Sequence, residues 1–523
     1  MARLSDMAPE NEDAWDASAG TAPYASSHLH GVAARLVPDV EGPPVSGLLR
    51  RKPYAVVALV GVVALTATSC RRFQSVPLSP SDSATALESR SLADPELRSL
   101  FERVLPGGVP RWPIEKWDLG TLTLAALYYH PSLEVARAQW HVAEAGIATA
   151  GARPNPTLSI TPQYVANAAM GAPMWDITSA LDWPIETAGK RGRRIERAQH
   201  LATSARLSLD AAAWKVRANL RARLLDFVAA RARARLLARE LEAQHEVVTL
   251  LEQRVQAGAA SVAMVAPARL AELQVAADLA EAERQQREAK VRLATAVGVP
   301  VRAFDGIDVE LPFDGPAPDL ERLPPALRRE ALQARSDILA ALADYGASQS
   351  ALQLEIARQY PDVRIGPGYE YDQGLNKWST IGVSLELPVL NRNAGPIGEA
   401  EARRTEAAAR FAELQATVID ELDRALANRD ASREALARSE AVLGAERGRV
   451  DSTMRAFGAG AADRLALRTA EVEYIRAERI HLDAQVRLQQ ALGDLEAAVQ
   501  PPLVMASGIE QGAGPPGRED ALR

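Results

Sequence analysis

The chain has 523 residues, of which 47% are hydrophobic but only 5% aromatic, and its formal net charge at neutral pH is −7. The apolar share is mostly Ala, Leu and Val, the mix used in helix-on-helix packing, so elongated helices are expected rather than a string of compact globules. Lys and Arg spread along the whole chain leave no electrostatic footprint for nucleic acid, and Arg scattered next to Glu reads as solvated helix surface.

Residues 1–49 are polar, rich in Ala, Pro and Gly, and aperiodic, which reads as a disordered extension or as sequence upstream of the true gene start. Segment 50–69 has a different character. Arg50, Arg51 and Lys52 precede a run of about 16 mostly apolar residues, Tyr54 to Ser69, which forms a positive n-region, a short h-region and a small-residue cleavage region. The run is too short to span a membrane comfortably. Its end, Leu65-Thr66-Ala67-Thr68-Ser69-Cys70, resembles a bacterial lipoprotein signal, in which the cysteine becomes the acylated first residue, although Ala67 stands where Leu is usual. The other reading is an uncleaved anchor that contains a cysteine. Either one exports the remainder, which begins with an anchor segment, 70–117. Cys70 is the only cysteine, so no disulfide framework exists, and the seven histidines supply no ligand-spaced pair to join it in a metal site.

From residue 118 onward the chain repeats itself. Leu127 to Leu133 aligns with Leu332 to Ile338 at an offset of 205, as do Pro156 and Pro361, and Leu181 to Ile185 aligns with Leu385 to Val389 at 204. A glycine-containing break recurs at Gly258 and Gly458. Two repeats, 118–300 and 321–500, are therefore expected, each running helix, strand pair, very long helix, short break, long helix. A linker at 301–320, with Pro312, Gly315, Pro316 and Pro318, joins them, and 501–523 reads as a disordered tail.

The strand pairs alternate strictly. In the first repeat Leu158, Ile160 and Tyr164 alternate with Ser159, Thr161 and Gln163, and Trp175, Ile177, Leu181 and Trp183 follow the same rule. In the second, Val363, Ile365, Tyr369 and Tyr371 alternate with Arg364, Gly366 and Glu370, and Ile381, Val383, Leu385 and Leu387 with Gly382, Ser384 and Glu386. All four strands come to about 10 residues, the length of a membrane-spanning β-strand. A soluble sheet with one wet face shows the same pattern. Four strands cannot close a barrel alone, and open edges are not tolerated in lipid, so a membrane reading demands oligomerisation.

From Arg191 to Ala257 there is no proline, and Leu220, Phe227, Ala234, Leu241, Val248 and Val255 recur every seven residues, as do Leu436, Leu443, Val450 and Phe457. Such heptads suit coiled-coil packing, and some 65 residues at about 1.5 Å each make a rod on the order of 100 Å. A coiled-coil scaffold would share them.

The duplicated pattern behind an acylated amino terminus resembles the TolC family of outer-membrane efflux channels over residues 118 to about 500. The segments Glu186-Thr-Ala-Gly-Lys-Arg-Gly-Arg-Arg194, Gly366-Pro-Gly-Tyr-Glu-Tyr-Asp-Gln-Gly-Leu-Asn-Lys-Trp378 and Leu387-Pro-Val-Leu-Asn-Arg-Asn-Ala-Gly-Pro-Ile397 look most like its CzcC-type branch, which serves heavy-metal efflux. The resemblance implies a mainly α fold with a β-barrel portion: a homotrimer sharing one twelve-stranded barrel in outer-membrane lipid, continued by a helical periplasmic tunnel. It implies export through a channel served by a periplasmic adaptor and an inner-membrane pump, of the RND type in the metal branch. It implies no cofactor beyond the lipid on Cys70. It also makes the hairpin tips the adaptor-docking surface, here Arg254, Gly258 and Ser261 at the first tip and Gly458, Asp463 and Arg464 at the second; plain interhelical turns are the other reading. Because Met264 and Pro267 follow the first turn where the second has Asp463 and Arg464, the tips are not expected to contact an adaptor equivalently.

The run Lys190 to Arg194 reads as a solvated helix start, with no acidic or aromatic counterpart in sequence. Drug or small-molecule efflux, or secretion through the same fold, is the alternative within channels; a lipid-anchored coiled-coil scaffold or adaptor is the alternative outside them, and the two strand pairs argue against it. An enzyme is not expected. No Gly-x-Ser-x-Gly elbow, phosphate loop or zinc-ligand spacing is present.

Overall fold

The computed structural model describes residues 73–104, 111–168, 170–313 and 324–501. The extension 1–49, the signal-like segment 50–69, Cys70 and the tail beyond 501 lie outside the described residues. The elements below belong to the unit that begins at Ser79.

The anchor segment forms α1 (Pro80–Glu88) and α2 (Pro95–Val104). Leu97, Leu100 and Phe101 of α2 are buried, and Phe101 meets the rings of Trp112 and Trp117 edge-on at 5.8 and 5.9 Å. Between the two helices, Arg90 donates to the carbonyls of Tyr129 at 2.6 Å and Gly298 at 2.9 Å. A guanidinium there meets the negative ends of two helices.

The first repeat runs β1 (Lys116–Trp117), α3 (Leu119–Tyr129), α4 (Pro131–Gly151), β2 (Thr157–Tyr164), β3 (Trp175–Ile185), α5 (Lys190–Gln256), α6 (Val265–Val297) and β4 (Asp308–Val309). Asp118 opens α3 through a capping box with Thr121. His130, held extended by the proline after it, ends α3 and begins α4. The second repeat runs α7 (Pro324–Ala334), α8 (Ser336–Ala357), β5 (Val363–Asp372), β6 (Leu375–Leu385), α9 (Ala394–Gly458) and α10 (Arg464–Val499). At 67 residues, α5 is a rod of about 100 Å.

Of the joining segment, 301–313 is folded: a 3-10 turn at Val301–Phe304 leads into β4, which pairs in parallel with β1. Phe304 and Val309 are buried and pack with Trp117, Leu220, Leu224 and Leu293 in the largest core cluster.

Each repeat contributes one hairpin to a four-stranded antiparallel sheet of order β2-β3-β5-β6. The alternation read from Ile381 to Leu387 falls in a last strand that spans Leu375–Leu385, so Leu387 lies beyond it. Gln373 and Gly374 both have positive φ, which makes a two-residue hairpin turn and starts the strand directly after it.

The helices extend the same order. Beside the sheet the neighbours run α4-α5-α8-α9, and farther along α6-α5-α10-α9, with α6 taking the place of α4 and α10 that of α8. From the strands to the tips these helices form a wall four elements wide, against which α3 and α7 pack.

Channel wall, hinge and hairpin tips

The register sorts the sheet into two faces. Leu158 lies opposite Leu181 and Tyr164 opposite Trp175, Trp183 opposite Ile365, and Tyr369 opposite Trp378. All these side chains share one apolar face, since successive residues of a strand point to opposite sides. Ser159, Thr161, Gln163, Asp176, Asp182, Arg364, Glu370 and Lys377 share the other. Within one copy the apolar face is open, with Ile160 58% and Trp378 75% exposed. Near the β2–β3 and β5–β6 turns its aromatic rings pair, Tyr164 with Trp175 at 5.3 Å and Tyr369 with Trp378 at 4.7 Å. At the central join the backbones of β3 and β5 come unusually close. A Cβ on Gly366 would lie 1.4 Å from the Leu181 carbonyl oxygen.

Where the sheet passes into the helices, the basic run corrects the sequence reading of a solvated, unpaired helix start. Lys190 is buried; its Nζ donates to Asp362 Oδ1 and to the Tyr360 carbonyl, both at 2.7 Å. Thr187 donates its backbone N–H to Asp362 Oδ1 at 3.0 Å and its hydroxyl to the Pro361 carbonyl at 2.6 Å. Arg194 forms an ion pair with Glu186, and Arg191 donates to the Gly151 carbonyl at 2.6 Å. One repeat is thereby tied to the other at the base of the strands. In the second repeat the corresponding start of α9 is held by Asn393, which donates to the Glu355 carbonyl at 2.8 Å. Gly189 and Asn393, each just ahead of a long helix, both take the left-handed conformation.

Nor are all the scattered charges solvated. Along the α5–α10 seam, which joins the repeats, Arg217 meets Glu496 at 2.7 Å, and Glu240, almost fully buried, accepts from Arg476 at 2.9 Å. Partners from opposite repeats allow these charges to be enclosed.

The tips repeat one backbone motif. Gly258 N–H bonds the Val255 carbonyl at 3.0 Å and Ala259 N–H the Arg254 carbonyl at 2.8 Å; Gly460 and Ala461 do the same to Phe457 and Ala456 at 3.0 and 2.8 Å. These are Schellman turns. Gly258 and Gly460 carry the positive φ, 69° and 73°, so the second reversal rests on Gly460, while Gly458 is only the last residue of α9. The glycine–cap spacing could have shown this: Ser261 follows Gly258 by three residues, and Asp463 follows Gly460 by three. Ser261 caps a 3-10 turn, Val262–Met264, that the second tip lacks, and Asp463 caps α10 directly, accepting from Ala466 N–H at 2.8 Å.

Of the six tip residues, Arg254 and Asp463 come together as an ion pair. Arg464 lies 3.7 Å from Glu246. The Ala466 amide and, after it, the Arg254 guanidinium hold the Asp463 carboxyl below its usual range. Among the described residues no group of three His, Cys, Asp or Glu is placed to hold a metal ion, and no helix is long and apolar enough to cross a membrane.

A sheet of this length with one apolar and one polar face, carried on paired helices that turn back at a common end, defines a channel-wall subunit. The family model described as outer membrane efflux protein matches residues 123–299 and 327–499, and the chain belongs to that family. It is an outer-membrane efflux channel with a periplasmic extension. It is similar to the cobalt-zinc-cadmium resistance protein CzcC of Cupriavidus metallidurans, 26% identical over 55% of this chain and 67% of that protein. It is also similar to the pyoverdine export outer membrane protein OpmQ of Pseudomonas aeruginosa, 27% identical over 51% of this chain and 59% of that protein. In fold it resembles the solved outer-membrane channel OprN, with a TM-score of 0.61 at 21% identity, covering 73% of this chain and 89% of that one.

Proposed function

We propose that three copies close one twelve-stranded barrel, and that the duct so formed exports divalent or soft heavy-metal cations delivered by a periplasmic adaptor and an inner-membrane pump of the RND type. The observation that carries closure is the sheet itself: four strands with one apolar face and two open edges, β2 and β6. In lipid an open edge leaves backbone groups unpaired at several kcal/mol each, so the edges must be paired by other copies. The apolar face then meets lipid, with Tyr164, Trp175, Tyr369 and Trp378 as an aromatic belt, and the polar face lines the lumen. Acylation at Cys70 would tether the anchor segment to the same membrane. Within this reading the protein transports and performs no catalysis.

The metal substrate rests on the likeness to CzcC. The likeness to a pyoverdine exporter favours a second reading, export of a small organic chelator. A deletion strain decides between them: loss of tolerance to zinc, cobalt, cadmium, copper or silver is expected, whereas unchanged metal tolerance with new sensitivity to dyes or antibiotics, or with a chelator retained in the periplasm, overturns the metal reading. Fractionation and gel mobility without heating test the trimer, and a soluble periplasmic monomer ends the duct reading as a whole.

A further inference from the structure

The sheet has a fault in its central strand, β5. Toward β3 the pairing passes from Ala180 with Gly368 to Trp183 with Ile365, leaving Leu181 and Asp182 out. Toward β6 it passes from Gly368 with Ser379 to Gly366 with Gly382, so two residues of β6 stand against one of β5. Both irregularities centre on Pro367, which has no N–H to give to a ladder, and on Gly366, whose backbone presses on the Leu181 carbonyl. The first hairpin has no such interruption: β2 and β3 pair continuously from Thr157 with Asp182 to Tyr164 with Trp175.

The fault leaves a hollow on the apolar face, about 340 Å³ in volume, lined by Leu181, Trp183 and Ile185 of β3, Ile365, Gly366 and Pro367 of β5, and Ile381 of β6. All these side chains are apolar, so the hollow compensates no polar body and suits an alkyl chain. Ile185 ends β3 and Lys190 begins α5, which puts the hollow at the helical end of the sheet, away from the turns with their paired rings. In an outer-membrane channel with a periplasmic extension, that end faces the periplasmic leaflet. Trp183 is 56% exposed, and among the described residues its indole N–H has no acceptor. A tryptophan at that level offers its ring to hydrocarbon and its N–H to lipid oxygens.

We propose that the hollow holds one acyl chain of a glycerophospholipid from the periplasmic leaflet, with the Trp183 N–H donating to an ester or phosphate oxygen of the same lipid. The hollow is continuous with the face that meets lipid, which supplies the occupant, and the inference rests on that reading. Transfer of the chain from one apolar medium to another contributes nothing. Contact with three strands and the one polar contact retain it.

A photoreactive lipid tests this. The full-length channel, reconstituted in vesicles of dioleoyl phosphatidylethanolamine and phosphatidylglycerol, is irradiated with a trace of phosphatidylethanolamine carrying a diazirine midway along one acyl chain. Mass spectrometry then locates the labelled residues. Label on Leu181, Trp183, Ile365 and Ile381 should exceed several-fold that on Leu158 and Ile160, which share the face but not the hollow. Ile381→Trp fills the hollow and should lower its label to the Ile160 level, and Trp183→Phe, which keeps a ring but loses the donor, should lower it in part. Unheated trimers show that the variants assemble; where they do not, the wild-type pattern decides. Even labelling over the whole face means an ordinary fluid annulus, and the inference falls with the duct reading intact. Label in the hollow only after Cys70→Ser means that the chain's own acyl group fills it, and the inference falls again. No label anywhere on the apolar face means that it does not meet lipid, and both readings fall together.

Discussion

Lys190 and Asp362, 172 residues apart, meet at 2.7 Å where the strands pass into the helices, with the lysine side chain 9% and the aspartate 40% exposed. The pair closes a bracket across the two repeats, since Lys190 begins α5 and Asp362 immediately precedes β5. Removing the ammonium strands a carboxylate and the Tyr360 carbonyl. The half-exposed aspartate recovers some water, so Lys190→Met should cost about 1–3 kcal/mol rather than the larger penalty of a fully enclosed pair. Denaturant unfolding of the detergent-solubilised protein measures it. Asp362→Asn should cost less, and the double variant less than the sum of the singles.

Gly366 should be intolerant for a reason confined to the sheet. Any side chain there collides with the Leu181 carbonyl, whereas a Cβ at Gly368 meets nothing closer than 3.5 Å. Gly366→Ala is expected to break the β3–β5 join and abolish accumulation in the outer membrane, and Gly368→Ala to leave it near normal. Equal yields of the two would show that the join is not required.

At the second tip, Gly458 and Gly460 should behave oppositely. Gly458 is helical with open space around it, so Gly458→Ala should be neutral or stabilise α9 by roughly 0.5–1 kcal/mol. Gly460→Val forces a β-branched residue into the left-handed region and should cost about 1–2 kcal/mol. Thermal unfolding ranks them.

Charge at that tip can be varied without touching the strands. Arg464, with a side chain 61% exposed, is the cleaner position, because Asp463 also caps α10. Arg464→Glu should leave unheated trimers at wild-type level and reduce export in part; full export with unchanged cross-linking to the adaptor would mean docking lies elsewhere.

The Asp463 carboxyl supplies a pH signature. In the folded protein it is held below the ordinary aspartate range, chiefly by the Ala466 amide and next by Arg254. A depressed carboxyl stabilises the fold above its unfolded pKa, and that contribution disappears as pH falls through the lower folded value. The tip should therefore be indifferent to pH from neutrality down to about 4 and loosen only below that. The carboxyl resonance of Asp463 should titrate below the ordinary aspartate range, and Arg254→Gln should move its midpoint upward.

Alternation and heptads are local signals, so the repeats, the strand faces and the proline-free rods were legible from residues such as Ile160, Trp183 and Leu220. The α9–α10 reversal was legible as a region but not as a residue: Gly458 and Gly460 are equally glycine, and only the distance to the Asp463 cap separates them. Lys190 could not be read, because its partner comes from the other repeat and nothing in the intervening chain marks the encounter. Arg90 was missed for a related reason. Its two carbonyl acceptors sit at helix ends whose proximity exists only after folding.

The extra 3-10 turn after Ser261 has a consequence for stoichiometry. A ring of three copies would present six hairpin ends to the periplasm in strict alternation, three with Val262 to Met264 inserted before the helix and three without. A partner present in six copies would then meet two classes of socket and should bind in two steps of unequal affinity. A partner present in three could choose one class and leave the other empty. Titrating the purified channel with adaptor and counting bound copies at each plateau would tell which arithmetic the rim obeys.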